Sequence, residues 1–204
     1  MSDQAEPAEE FCARVMEPSF EPWSLARWLD GLSHADRVLA IRGAGSREQR
    51  KLYEAVEGVL ALGLVDMVPS TTRAGATVRH HGKNTLPAFT YFEKRFCLPS
   101  DADAGNPTCL YGFNFQALAA ITGPGYFVAV PNEARNEVLV DYRRLPDDHP
   151  EGWPRIRSNE KGLSRFVYGF MVDTLRRVSE HVTIGSAARK GKDMGSWFLL
   201  TREP

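Results

Sequence analysis

The spacing of apolar residues changes character part-way along the chain. In the N-terminal part it is helical: Phe11, Val15 and Met16 line a short helix that Pro18 stops. Trp23, Leu25, Trp28 and Leu29 give a second, with Pro22 in its first turn and Gly31 after its end. Ser33 stands before Asp36 in a capping-box-like start and leads into DRVLAIR, which Gly43 closes. Ser46 and Gln49 repeat that device ahead of a fourth helix, whose stripe runs through Leu52, Val56, Val59 and Leu60.

From Thr77 onward the pattern turns to strands. TVRHH, PAFTYFEKRF, LYGFNFQ, YFVAVP and EVLVDYRRL are aromatic and β-branched runs bounded by Gly, Pro or Asn, and NEARN is short enough to join the last two as a hairpin. GLSRFVYGFMVDTLRRVSEH then places Leu163, Phe166, Val167, Phe170, Met171, Leu175 and Val178 at three- and four-residue steps. That spacing predicts a long helix with Phe170 on its buried stripe and Arg176 on its outer face. HVTIGSA and SWFLLTRE read as a closing strand pair around ARKGKDMG.

Helices followed by strands indicate an α+β fold: an N-terminal helical segment, then a mainly antiparallel, curved sheet packed by one long helix in the C-terminal half. The expected organisation is a disordered tail over 1–9 and a single domain over 10–204, helical over 10–65 with sheet and long helix over 66–204.

Strand parity adds a constraint. In PAFTYFEKRF, Ala88, Thr90, Phe92, Lys94 and Phe96 share one face, while Phe89, Tyr91, Glu93 and Arg95 share the other. Both faces carry aromatics and both carry charge. A sheet with one wet face alternates more cleanly, so this one is expected to be covered on both sides or curved around an interior.

Composition narrows the function. The chain has 204 residues, 43% hydrophobic and 25% charged, with a formal net charge of -1. That balance offers no general attraction to nucleic acid or to an anionic membrane, and no apolar run is long enough to span a bilayer. The acidic start MSDQAEPAEE is unlike a secretory signal. Cys12, Cys97 and Cys109 are odd in number and lack CxxC spacing, which favours reduced thiols and a cytoplasmic location.

Several motifs fail on inspection. IRGAGSREQ has Glu48 where a dinucleotide fingerprint needs glycine, and DADAGN has Asn106 and Gly112 where a calcium loop needs glycine and glutamate. His80 and His81 are adjacent on a strand and point to opposite faces, and the other histidines have no ligand-pair spacing, so no metal site is expected.

What remains is the stretch HHGKNTLPAFTYFEKRF. A few polar groups in an aromatic wall is the composition of a small-molecule pocket. The expected ligand-binding residues are Lys83, Asn84, Tyr91, Glu93, Arg95, Asn114, Tyr126 and Asp141, with Lys83, Glu93 and Arg95 at the polar end. Three functions fit: a binding protein for a small, mostly apolar ligand; an enzyme with Glu93 or Asp141 as general base and His80 or His81 as partner; or a non-catalytic interaction protein whose aromatic surface docks a partner, with a homodimer as one possibility. No cofactor is indicated.

Overall fold

The computed structural model describes residues 6–86, 90–116 and 123–204. Its N-terminal part carries α1 (Glu6–Met16), α2 (Pro22–Gly31), α3 (His34–Gly43) and α4 (Ser46–Ala55), followed by the single turn α5 (Leu64–Met67). Residues 6–9, read as tail from their polarity, are the first turn of α1. The Ser33 hydroxyl accepts the Asp36 N–H at 3.2 Å, and the Glu48 carboxylate accepts the Gly45 N–H at 2.9 Å, so two of these helices start on satisfied donors.

Among the described residues, eight antiparallel strands follow: β1 (Val78–Asn84), β2 (Tyr91–Cys97), β3 (Leu110–Phe115), β4 (Tyr126–Asn132), β5 (Glu137–Asp141), β6 (Met171–Arg177), β7 (Val182–Arg189) and β8 (Lys192–Arg202). Each pairs with the next, and β8 returns to β1 with His80 opposite Arg202 and Asn84 opposite Phe198. The result is a closed barrel in chain order, without an open sheet edge. The expected strand over 87–96 begins at Tyr91; positions 87–89, including Ala88 and Phe89 of the parity argument, lie outside the described residues.

The barrel corrects the expected α+β architecture: no open curved sheet packed by one long helix is present among the described residues. The helical stripe over 163–178 breaks into a one-turn helix, α6 (Ser164–Val167), and strand β6. The break is local. Phe170 has a left-handed φ of 61°, and a Cβ at Gly169 would meet the Arg165 carbonyl oxygen at 2.4 Å. Beyond it, Asp173 and Leu175 point into the barrel while Val172, Thr174 and Arg176 point out, as their pairing with inward Val140 and Val138 requires. Leu175 and Val178 are three apart on either reading, so the apolar spacing did not separate the two. They serve different cores, Leu175 inside the barrel and Val178 outside it.

The apolar-on-both-faces parity has the same explanation. Inward Phe96, Leu110, Phe127, Ala129, Val138, Val140, Leu175, Phe198 and Leu200 form the barrel core, and Leu62, Leu64, Met67 and Val68 close its lower end. Outside, Val178, Val182, Ile184 and Leu199 pack against Phe11, Val15, Leu25, Leu29, Ile41 and Leu52 of the helices. On another flank Cys97, Phe113, Tyr126 and Trp153 form a separate aromatic cluster. Gly82 on β1 lets the Phe92 ring lie directly on the backbone, since a Cβ there would meet it at 2.6 Å. No helix among the described residues is long and apolar enough to cross a membrane.

Candidate functional site

The end of the barrel opposite α5 holds a cavity of about 400 Å³, within the range of small-molecule sites. Its apolar wall includes Phe92, Val167, Tyr168, Met171, Ala187 and Phe198, and Leu86, Phe166 and Met194 stand at its rim. All three rim residues are exposed, Phe166 at 74%. Helix α6 is tied to the mouth by the Arg189 guanidinium, which donates to the Phe166 and Val167 carbonyls at 2.9 and 3.0 Å.

The polar end is built from four strand or strand-end side chains, each brought inward by parity. Lys94 lies on the β2 face shared by Phe92 and Phe96, Asn114 is on β3, Tyr142 follows β5, and Asp173 is on β6. Lys94 is 2% exposed. Its Nζ donates to Asp173 Oδ2 at 3.0 Å, to Asn114 Oδ1 at 3.2 Å and to the Tyr142 hydroxyl. The Tyr142 hydroxyl also accepts from Asn114 Nδ2 at 2.9 Å and donates to Asp173 Oδ2 at 3.2 Å. The ammonium lies about 5 Å from the ring centres of Tyr142, Phe198 and Phe127. Tyr168 stacks on Tyr142 with 5.4 Å between centroids and extends the polar line toward Gln116.

Burial governs the protonation of this cluster. Desolvation lowers the Lys94 pKa, opposed by the nearby Asp173 charge. Desolvation raises the Asp173 pKa, opposed by Lys94 and by the Tyr142 hydrogen bond. Tyr142 is pushed well above its ordinary value by burial and by the Asp173 charge. Both members of the ion pair are thus drawn toward neutrality. Oδ2 takes the side-chain hydrogen bonds from Lys94 and Tyr142; Oδ1 is buried with no hydrogen-bond partner among the described residues, a costly state for a buried acceptor.

The residues singled out from sequence separate into two groups. Asn84 and Asn114 line the cavity. Lys83, Tyr91, Glu93, Arg95, Tyr126 and Asp141 belong to the outer face. Glu93 and Arg95 pair with each other at 2.8 Å, and the Arg95 guanidinium lies 3.9 Å from the Phe115 ring centre. Lys83 stands 5.7 Å from the Tyr91 ring centre. Tyr126 sits in the outer aromatic cluster and donates to the Pro154 carbonyl. Asp141 makes a bidentate pair with Arg143 at 2.8 Å, and those contacts hold its carboxyl below the ordinary value against the opposing effect of burial.

The proposed acid–base partners are also dispersed. His80 points inward near the closed end, where it meets the Met67 carbonyl at 2.9 Å, and burial lowers its pKa to about 3. His81 faces Glu93 across the outer sheet face, but its Nε2 is 2.9 Å from Glu203 Oε1 while Glu93 is held by Arg95.

No protein-family model, curated protein or solved structure matches the chain. The geometry therefore stands on its own.

Sequence reasoning passed over Lys94, Tyr142 and Asp173 as site residues. A signal for Lys94 existed, because a lone cation between Phe92 and Phe96 on one strand face is a buried charge wherever that face is covered. Asp173 was hidden inside the apparent helix. As to metals, His34, His81 and Glu203 bring one ligand atom each within 4.8 Å of one another on the outer surface. Arg79 also approaches that carboxylate, at 3.8 Å, and the charge of Arg37 acts on His34, so the surroundings are unfavourable to a cation.

Proposed function

We propose that this protein binds a small, mostly apolar molecule inside the barrel, with the ligand's polar group directed at Lys94, Asn114, Tyr142 and Asp173. One observation carries the reading: an aromatic-lined cavity of about 400 Å³ ends on a buried polar cluster. Eight strands suit it, since a barrel of that size is just wide enough for packed side chains or one small ligand. In this chain the lower part is packed and the upper part is not. The exposed apolar rim of Leu86, Phe166 and Met194 gives an apolar ligand a path from its carrier surface to the interior.

The test is occupancy of the cavity. Ala187 faces inward on its wall and is 6% exposed, so Ala187→Leu places three more carbons where the ligand would lie. Binding of medium-chain alcohols and phenylalkanols, followed by quenching of Trp197 fluorescence and by calorimetry, should weaken at least tenfold in Ala187→Leu, a loss of about 1.4 kcal/mol. Melting temperature should be unchanged or raised, because an open space is being filled. Equal affinity in a well-folded Ala187→Leu protein would remove the ligand from the barrel.

A further inference from the structure

We propose that Lys94 is a covalent anchor for aldehydes: its amine condenses with the carbonyl carbon of an apolar aldehyde held in the barrel, forming a protonated imine paired with Asp173. The inference rests on the binding reading above and adds the chemical class of the ligand.

Three features of the site converge on it. The amine stands at the inner end of an apolar cavity, the geometry that presents a carbonyl carbon to Nζ while the rest of the ligand fills the aromatic wall. A carboxylate lies 3.0 Å from the same nitrogen, where it can take and return a proton. That carboxylate keeps Oδ1 buried and without a partner among the described residues. A lysine–aspartate pair serving the fold alone gains nothing from such an acceptor, whereas a reacting oxygen placed beside it would use it. Burial lowers the Lys94 pKa and raises that of Asp173, which brings the neutral amine and the protonated carboxyl within reach together.

The step balances without a further reagent. The Lys94 ammonium passes one proton to Asp173, and its lone pair forms a C–N bond as the carbonyl π electrons move to oxygen. That oxygen takes a proton from the new C–N nitrogen by way of Asp173, giving a carbinolamine. The C–O bond then breaks, and the hydroxyl leaves as water with the proton held on Asp173. The products are one water, a protonated imine and the Asp173 carboxylate as its counter-ion; hydrolysis is the reverse. The Asn114 amide and the Tyr142 hydroxyl, both already within hydrogen-bond distance of Nζ, hold the nitrogen in line.

The experiment incubates the full chain with 3-phenylpropanal and sodium cyanoborohydride, which reduces a protonated imine to a stable secondary amine. Intact mass and peptide mapping then read the site of modification among the six lysines, at 51, 83, 94, 161, 190 and 192. Lys94 should be modified at least tenfold faster than Lys190 or Lys192, with a mass gain of the aldehyde less one oxygen. Excess 3-phenylpropan-1-ol, which has the same skeleton and no carbonyl, should suppress labelling at Lys94 and leave the surface lysines unaffected. Asp173→Asn should lose at least tenfold in the rate of trapping at Lys94, with labelling of Lys190 and Lys192 unchanged. The wild-type map decides the matter even if that variant fails to fold. If the alcohol binds in the barrel while the aldehyde is trapped only at surface lysines, the covalent role is wrong and the binding reading survives. If neither compound binds and Lys94 is unlabelled, both are wrong.

Discussion

Lys94→Met is the most informative perturbation of the barrel interior, because its cost has a calculable pH dependence. Methionine keeps most of the side-chain volume between Phe92, Phe127 and Phe198 while removing the charge. Asp173, 2% exposed, then loses the cation that held its Oδ2 at 3.0 Å. A buried carboxylate without a counter-charge takes up a proton instead. At pH 7 that protonation costs about 4 kcal/mol relative to an unfolded-state carboxyl near pKa 3.9, at 1.36 kcal/mol per unit. The sign follows from a folded-state pKa raised above the unfolded one. The native variant binds more protons than its unfolded chain, so its stability falls as pH rises from about 4. The difference between wild type and Lys94→Met, measured by urea unfolding, should therefore shrink by about 1.4 kcal/mol for each pH unit from 7 to 5. Lys94→Met/Asp173→Leu, which removes both charges, should recover most of the loss at every pH. A cost that is large but flat with pH, or a double variant no better than the single, would show that Asp173 is not a buried carboxylate dependent on Lys94.

Two further outcomes follow from other buried groups. His80, neutral in the fold with a pKa lowered to about 3, must gain a proton on unfolding below about pH 6.5; stability should fall by roughly 2 kcal/mol between pH 6.5 and 5, and His80→Gln should flatten that slope in urea unfolding. Arg176, read as solvent-facing from the helical stripe, is 7% exposed and bonds Glu137 at 2.8 Å and the Tyr53 carbonyl at 2.8 Å; Arg176→Ala should cost about 3–5 kcal/mol, and a urea midpoint equal to wild type would contradict the burial of that network.

The first three N-terminal helices were legible because their signals are local, whereas α4 is capped by Gly45 and Glu48 and stops at Ala55, short of the Val59 and Leu60 placed on its stripe. Pro22, Ser33 and Gly31 sit at helix ends for reasons of backbone geometry that no distant contact overrides. The hairpin from Tyr126 to Asp141 was legible for the same reason, its turn closing through left-handed Asn136. The segment over 163–178 was not, since spacing alone cannot say that Leu175 and Val178 belong to opposite sides of a closed sheet. Closure is a property of all eight strands together, and no single stretch encodes it. The same gap explains the site. Asn84, Phe92 and Lys94 of this stretch line the cavity, yet which parity faces inward depends on closure, so Glu93 and Arg95 were favoured over their neighbour Lys94.

The most direct test of a ligand inside the barrel is an intermolecular nuclear Overhauser measurement. Methyl-labelled protein saturated with 3-phenylpropan-1-ol should give cross-peaks from the phenyl protons to Ala187, Met171 and Met194, which line the cavity. Methyls of Leu25, Ile41 and Leu52, buried beneath the helices outside the barrel, should give none. Cross-peaks confined to the helix-covered face, or to no buried methyl at all, would contradict the account.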